Sequence, residues 1–340
     1  MNLLDSMRYL VALEQHRHFG RAAGACHITQ PALSNALRAL EAELGVAIVR
    51  RGRSYEGLTA EGQRVLDSAN RMLREHELLR QDVHSGALTP CGMLGIGVVP
   101  TAVPIAARFA ARLQALHAGI KPVVRSLSSY DIESGLANLS LDLGLGYIDR
   151  MNLRGDKLEA VEQYVEQYFL LRRSGAGHAA PLCIGEPMSW REAAAQPLCL
   201  LTPEMHNRQI VDAAFRSAGC VVRPAIETNS IVTLVFAVRE GDVCAVLPGS
   251  LVALARQHDG LEARPLHDPE VHTPIGFMFA PSARISRALE AALALARDPA
   301  WLRCVAENSR LPGLGDPLGD SPGESTGSRN SLDRVRPPAR

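Results

Sequence analysis

The chain has 340 residues, 46% of them hydrophobic and 21% charged, with a formal net charge of zero at pH 7. That length supports two or three domains of ordinary size and a sizeable core, and the composition excludes a chain that is disordered throughout. Zero net charge excludes a whole-molecule basic field, so any contact with nucleic acid has to be local.

The seven cysteines, Cys26, Cys91, Cys183, Cys199, Cys220, Cys244 and Cys304, are scattered, odd in number and free of any CxxC pair. None has zinc-ligand spacing, so no metal site is expected, and reduced thiols in a cytoplasmic protein are the simplest reading. The start "MNLLDSMRYLVALEQH" carries Asp5 and Glu14 and lacks a basic segment ahead of a small-residue cleavage site, so no export signal is expected. No uninterrupted apolar run reaches membrane-spanning length, and a membrane partner is not expected.

In chain order, Leu3, Met7, Leu10, Val11 and Leu13 share one face of a helix over residues 3–16. His18-Phe19-Gly20 breaks it. A short helix over 21–26 follows, then a tight junction and a longer helix to about Leu44, with Gly45 at its C-cap. In that second helix Thr29 holds the N-cap position and Pro31 lies in the first turn, where its missing N–H costs little. Leu33, Leu37 and Leu40 then face inward, leaving Gln30, Pro31, Ala32, Ser34, Asn35 and Arg38 outward. A helix built only to fill a core needs no such face. It fits a helix-turn-helix reader, in which Gln pairs with adenine, Arg with guanine, Ser with either base, and Ala leaves room for a methyl group. Periodicity alone is equally compatible with a solvated face on a three-helix domain.

Next, "AIVRRGRSYEGL" reads as a small hairpin, which puts Arg50, Arg51 and Arg53 beside the reader helix as phosphate contacts. Residues 1–58 hold seven arginines against five acidic residues, a weak basic excess. Thr59 caps a long helix to about His84, with Val65 or Leu66, Ala69, Met72 or Leu73, His76, Leu79 and Val83 along one stripe. The stripe suits pairing with the same helix of a second subunit, or packing on its own domain. "SGALTPCG" is a linker by composition.

From Met93 strands and helices alternate. "MLGIGVV", "KPVVRSL" and "LDLGLGYI" are strands with helices between them, and "EQYFLLRR", "PLCLL", "RPAIET" and "VCAVL" open a second set. "IGFMFA" and a helix over about 285–297 complete two α/β lobes. From Ser309 onward Gly, Pro and Ser dominate, and a disordered tail is expected.

Residues 3 to 66, through Phe19, Arg21-Ala22-Ala23, "TQPALS", "LEAELG" and "LTAEG", resemble the DNA-binding region of LysR-type transcriptional regulators. The resemblance implies a winged helix-turn-helix over 1–58, a linker and dimerisation helix over 59–85 and a hinge over 86–92. It further implies an effector domain of periplasmic-binding-protein fold over 93–305, with lobe I at about 93–162 and 267–305 and lobe II at about 163–266, then a tail over 306–340. The class is thus α/β overall with an all-α N-terminal reader. The implied partners are double-stranded promoter DNA, a small-molecule co-effector, RNA polymerase, and further copies of the chain in a homodimer or homotetramer. Family members often carry Arg directly after the Ser of "PALS", where this chain has Asn35, which alters the half-site expected.

Ligands of open α/β sheets sit beyond the carboxyl ends of strands, at helix N-termini. That rule selects Pro100, Thr101, Ser128, Ser129, Tyr147, Thr202, Asn229 and Pro248. The resemblance places the co-effector at Thr101, Ser129, Tyr147 and Thr202, where hydroxyls at helix N-termini suit a small carboxylate or another small anion such as formate. Near these, "TPEMHNRQ" offers His206, Asn207 and Arg208, the last as a further candidate anion partner. Thr29 joins the arginines of the hairpin as a DNA-backbone contact. No enzyme site is found: "GIGVVPT" lacks the third glycine of a dinucleotide loop, and no P-loop, HExxH or GxSxG occurs. No cofactor is expected. A thiol-based redox regulator is the alternative, with Cys183, Cys199 and Cys220 all in the effector region.

Overall fold

The computed structural model describes residues 2–52, 55–83, 89–150, 158–174, 181–255, 259–281 and 285–309. Helix α1 (Leu3–His16) buries Met7, Leu10 and Leu13. Helix α2 (Phe19–Ala25) starts two residues earlier than its pattern predicts, because the His18 ring caps it by accepting the Arg21 N–H at 3.2 Å. Helix α3 (Gln30–Leu44) stops at Gly45, whose φ of 68° lies in the left-handed region that glycine enters without strain. Strands β1 (Val49–Arg51) and β2 (Tyr55–Leu58) form the expected antiparallel hairpin. Arg53 and residues 84–88 lie outside the described residues.

Helix α4 (Ala60–Val83) is capped by Thr59 Oγ1, which accepts the Gly62 N–H at 2.8 Å. Its first turns pack on their own domain: Leu66 and Ala69 join Met7, Leu10, Leu33, Leu37 and Ile48 in one core. Met72 and Leu79, farther along, are exposed. Between them Arg74 pairs with Asp142, which also accepts the Gly95 N–H at 2.6 Å, so the long helix is pinned to the first α/β lobe.

The first lobe runs β3 (Gly92–Val98), a 3-10 turn at Pro100–Ala102, α5 (Val103–Leu116), β4 (Ile120–Ser126), α6 (Ser129–Ala137), β5 (Leu143–Tyr147) and β6 (Glu159–Glu166). The second runs β7 (Tyr168–Arg173), β8 (Cys183–Ile184), β9 (Met188–Ser189), α7 (Trp190–Ala194), β10 (Leu198–Leu201), α8 (His206–Ser217), β11 (Ile226–Thr228), α9 (Ile231–Glu240), β12 (Cys244–Pro248), α10 (Gly249–Ala255) and β13 (Leu261–His267). The chain then returns through β14 (Thr273–Phe279), α11 (Arg287–Ala296) and α12 (Pro299–Ser309).

The first sheet has the order β4-β3-β5-β14-β6 and the second β11-β10-β12-β7-β13-β8, with β9 also on β13. The three early strands β4, β3 and β5 are parallel, whereas β14 runs antiparallel to both β5 and β6. The chain therefore crosses between lobes twice, at β6 into β7 and at β13 into β14. Strand β6 belongs to the first sheet as far as Glu166, so the boundary between lobes falls later than the expected 163.

Helix α12 extends the first lobe to Ser309, beyond the expected end near 305. Trp301 fixes it: the indole packs 5.2 Å from Phe109 and donates to Gln163 Oε1 at 2.6 Å, and the Gln163 amide donates to Ala296 O at 3.0 Å. The rest of the expected tail, 310–340, lies outside the described residues. Gly144 lets α6 sit directly on the sheet, since a Cβ there would lie 2.5 Å from Ile132 Cγ2. That close approach holds the start of α6, and Ser129 with it, at the mouth between the lobes.

Candidate functional site

Two places concentrate exposed or unsatisfied polar chemistry. The first is the outer face of α3. Thr29 Oγ1 accepts the Ala32 N–H at 3.4 Å, which spends its side chain on the helix start. Leu33, Leu37 and Leu40 are buried almost completely, so the 3.6-residue period turns the intervening positions outward. Gln30, Pro31, Ala32, Asn35 and Arg38 are exposed and Ser34 is half-buried. Arg38 Nη1 donates to Asn35 Oδ1 at 3.4 Å, placing an amide and a guanidinium side by side on that face.

Glu41, on the same helix, accepts the N–H groups of Ile48 and Val49 at 2.9 and 3.0 Å and so ties the hairpin to the reader. Arg50 is exposed on β1, and the backbone of Arg51 follows it in the same strand. Tyr55 on β2 is bonded to Glu14 and meets Phe19 edge-on at 6.1 Å. Burial, reinforced by Glu14, pushes its phenol far above the usual tyrosine range.

The second place is a cavity of about 10 Å³ between the two lobes, lined by Val99, Pro100, Thr101, Ser128, Ser129, Tyr147, Leu201, Met205, His206 and Asn207. A volume of that size holds roughly one water molecule. Five of the positions selected from the sequence meet here: Pro100, Thr101, Ser128, Ser129 and Tyr147. Thr202 does not reach it, for its hydroxyl donates to Glu204 at 2.6 Å. Asn229 lines a separate crevice of about 360 Å³ with Pro104, Val232 and Leu251. Pro248 ends β12 and is absent from the lining of both.

The second lobe contributes His206 and Asn207, the first residues of α8, which starts at His206. Arg208 points away and is fully engaged: it donates to Asp212 at 2.8 Å and to Leu201 O and Glu227 at 2.7 Å each. It is therefore not an anion partner in the cleft. Ser128 caps α6, its hydroxyl accepting the Asp131 N–H at 3.1 Å and donating to Asp131 Oδ2 at 2.7 Å.

Arg150 donates to Glu133 Oε1 at 3.1 Å and to His206 Nδ1 at 2.8 Å. A guanidinium only donates, so His206 Nδ1 accepts and its proton stays on Nε2. Burial, and then the Arg150 charge, hold the His206 pKa below its usual value and keep the ring neutral. Tyr147 meets that ring edge-on at 4.8 Å. His206 Nε2 and Ser129 Oγ are both buried without a hydrogen-bond partner among the described residues. Buried polar atoms in that condition leave hydrogen-bonding positions that a water, an ion or a small polar molecule can fill.

The sequence profile described as "Bacterial regulatory helix-turn-helix protein, lysR family" matches residues 4–63, and that of the "LysR substrate binding domain" matches residues 88–300. The chain belongs to the LysR family of transcriptional regulators. It is a DNA-binding regulator and not an enzyme. Over 287 residues it is 29% identical to the DNA-binding transcriptional dual regulator OxyR of Escherichia coli K12, covering 83% of this chain and 90% of that protein. Over 158 residues it is 38% identical to the SDS degradation transcriptional activation protein of a Pseudomonas species, covering 46% and 51%. Among solved structures, full-length OxyR from Pseudomonas aeruginosa with a Cys-to-Asp substitution superposes with a TM-score of 0.65 at 22% identity, over 87% of this chain and 98% of that one. Full-length CbnR complexed with its target DNA superposes with a TM-score of 0.60 at 19% identity, over 89% and 99%. Both share the fold.

In this LysR-family chain Cys199 and Cys244 are buried on neighbouring strands, but they belong to cores on opposite faces of the second sheet. Burial pushes both thiols up. Cys183 is exposed and Cys220 half-buried. Among the described residues no group of three or more His, Cys, Asp or Glu side chains is placed to hold a metal ion, and no helix is long and apolar enough to cross a membrane.

The Arg150 contact has a measurable consequence. Followed by NMR, the His206 titration midpoint should lie below the usual histidine value and should rise in Arg150→Ala, where the neighbouring positive charge is gone. An unchanged midpoint would show that Arg150 does not act on the ring.

Proposed function

We propose that this regulator reads promoter DNA through α3 and adjusts its output to a small polar molecule held between its lobes. Gln30, Pro31, Ala32, Ser34, Asn35 and Arg38 are the base-reading residues, and Arg50, Arg51, Arg53 and the Thr29 turn are the phosphate contacts. The observation that carries this reading is the division of α3 itself, three leucines sealed inside and five polar or small residues fully outside. Asn35 stands one turn from Arg38 and offers an amide where many relatives present a guanidinium, which favours adenine at the matching base pair.

Residues 1–58 act as the reader, 59–85 as the linker and 93–309 as the sensor. The exposed Met72 and Leu79 of α4 are the apolar surface by which two chains pair into a homodimer, and two dimers into a homotetramer. Paired readers then face one side of the duplex, and half-sites lie whole helical turns apart. RNA polymerase is the further protein partner through which such a regulator acts, in the cytoplasm.

The co-effector is assigned to the cavity of Thr101, Ser129, Tyr147, His206 and Asn207. Two helix starts, those of α6 and α8, meet there from opposite lobes, and their aligned N–H groups favour a small anion. A small carboxylate of formate size is the class that this argument selects, and the lobes have to part to admit it, since the cavity of about 10 Å³ holds roughly one water molecule. Binding shifts a pre-existing balance between closed and open lobes in proportion to its preference for one of them.

Relatives named "Hydrogen peroxide-inducible genes activator", among them one of Escherichia coli O157:H7 that is 29% identical over 287 residues, favour a thiol-based reading as the second one. Against it stand the buried, opposite-facing Cys199 and Cys244 and the presence of His206 and Asn207, not cysteine, at the cleft. Promoter output of a Cys199→Ser, Cys220→Ser double variant should respond to peroxide as the wild type does. Loss of a peroxide response in the variant would establish the thiol reading instead.

Substituting Gln30→Ala should weaken binding to the specific site by about 1–3 kcal/mol and relax base preference at one position, as fluorescence anisotropy on single-base variants of the site would record. Equal weakening on random duplex would remove Gln30 as a base reader.

A further inference from the structure

Glu166 ends β6 and is separated by a single residue from β7, so it sits where the chain leaves the first sheet for the second. Its partner across the ladder is Thr273, the first residue of the returning strand β14. Both crossings of the hinge therefore run past this one side chain, which is 1% exposed.

Its neighbours come from both lobes. The hydroxyls of Tyr164 and Tyr168 reach its two oxygens at 3.5 Å each, and the Thr101 hydroxyl is also within bonding reach of the carboxyl. Tyr168 Oη lies 3.5 Å from Thr273 Oγ1 and accepts from Asn207 Nδ2 at 3.5 Å. Thr101 Oγ1 lies 3.0 Å from Tyr147 Oη, and the Ser250 hydroxyl donates to Thr101 O at 3.2 Å. Thr101, Tyr147 and Asn207 line the interlobe cavity, so Glu166 is the layer directly behind it.

The titratable groups facing the carboxyl are Tyr164 on its own strand, Tyr147 from β5 and Tyr168 from β7. The turn before α5, α8, α10 and β14 bring only the neutral Thr101, Asn207, Ser250 and Thr273. Farther out, Asp149 acts on Tyr147, Arg150 is held between Glu133 and His206, and His272 lies 3.3 Å from Glu270. Among the described residues no cation acts on Glu166. Burial outweighs the hydrogen bonds from Thr101, Tyr164 and Tyr168, which favour the ionised form, and pushes its pKa up to about 8, so the group carries a proton at neutral pH.

We propose that Glu166 is a proton-operated latch on the hinge: protonated, it bridges hydroxyls of both lobes and keeps the cleft closed, and on losing its proton to solvent it becomes an unpaired buried charge that draws in water and parts them. The proposal rests on the sensor reading above and adds a regulation to it, since an ionised Glu166 also repels any anion in the cavity it backs. An unpaired charge is far costlier to bury than a neutral acid, which is why the switch has a direction.

The sign follows from linkage. A carboxyl whose pKa is raised on folding stabilises the folded chain fully below its unfolded value of 4.5, progressively less as the pH rises, and not at all above about 8. Melting temperatures of the full-length chain, without DNA or added anions, should therefore fall by several degrees from about pH 5 to about pH 9 relative to Glu166→Gln. Parallel curves would overturn the latch.

If the variant fails to fold, infrared titration of the wild type in D2O is decisive. A protonated-carboxyl band that disappears with a midpoint near pH 8 supports the proposal, and no such band at neutral pH overturns it. Amide exchange at Thr101, Ser129 and His206, corrected for its intrinsic pH dependence, should accelerate as the band is lost, and constant protection would leave no hinge motion for the proton to control. None of these readouts involves DNA, so their failure is distinct from a failure of the reader assignment.

Discussion

The burial of Leu33, Leu37 and Leu40 is the constraint on which the reading surface depends. Those three side chains fix the rotation of α3 about its own axis, since a turn of one residue, about 100°, would carry most of the stripe into water, at roughly 25 cal/mol per Å² of apolar surface. With the rotation fixed, Gln30, Asn35 and Arg38 have one direction left to point. The N-cap at Thr29 fixes where the helix starts, and the left-handed Gly45 fixes where it stops. Glu41 then carries the same register into the hairpin by holding two of its backbone N–H groups, so the arginine-bearing strand cannot slide relative to the reader.

A second constraint governs the sensor. Two strands cross between the lobes, and one of them places Glu166 where both crossings meet. The hydroxyls around it include cavity residues, so the hinge and the cavity share Thr101, Tyr147 and Asn207. His206 is set by a different chain of contacts, Glu133 to Arg150 to the ring, which leaves its Nε2 proton facing the cleft. The pinning of α4 to Asp142 by Arg74 offers a direct mechanical route from the first lobe to the reader.

The reader was legible in the sequence because every signal for it is local: a capping threonine, a first-turn proline, leucines at helical spacing and a terminal glycine. The sensor was legible as alternating strands and helices, with five of the cavity residues, because strand ends and helix starts carry their own signals. Strand β6 is hard to read from the sequence because half of "EAVEQYVE" is polar, and its buried polar members find partners only in the folded chain, Gln163 in Trp301 and Glu166 in Tyr168 of β7 beside Tyr164 of its own strand. Helix α8 begins at His206 behind Met205, which offers no capping side chain, so "TPEMHNRQ" pointed to this segment without separating His206 and Asn207, which line the cavity, from Thr202 and Arg208, which do not. Arg208 misled for a related reason: Glu227 and Asp212 meet it only in the folded chain.

The central claim is that α3 reads base edges while the lobes sense a chemical cue on its behalf. Footprinting of the full-length protein on the DNA upstream of its own gene, against scrambled competitor and with small carboxylates added in turn, tests it most directly. The account predicts two protected half-sites on one face of the duplex, whole helical turns apart, with a pattern that changes when the cleft is filled. Equal affinity for every duplex, with or without metabolites, would contradict it.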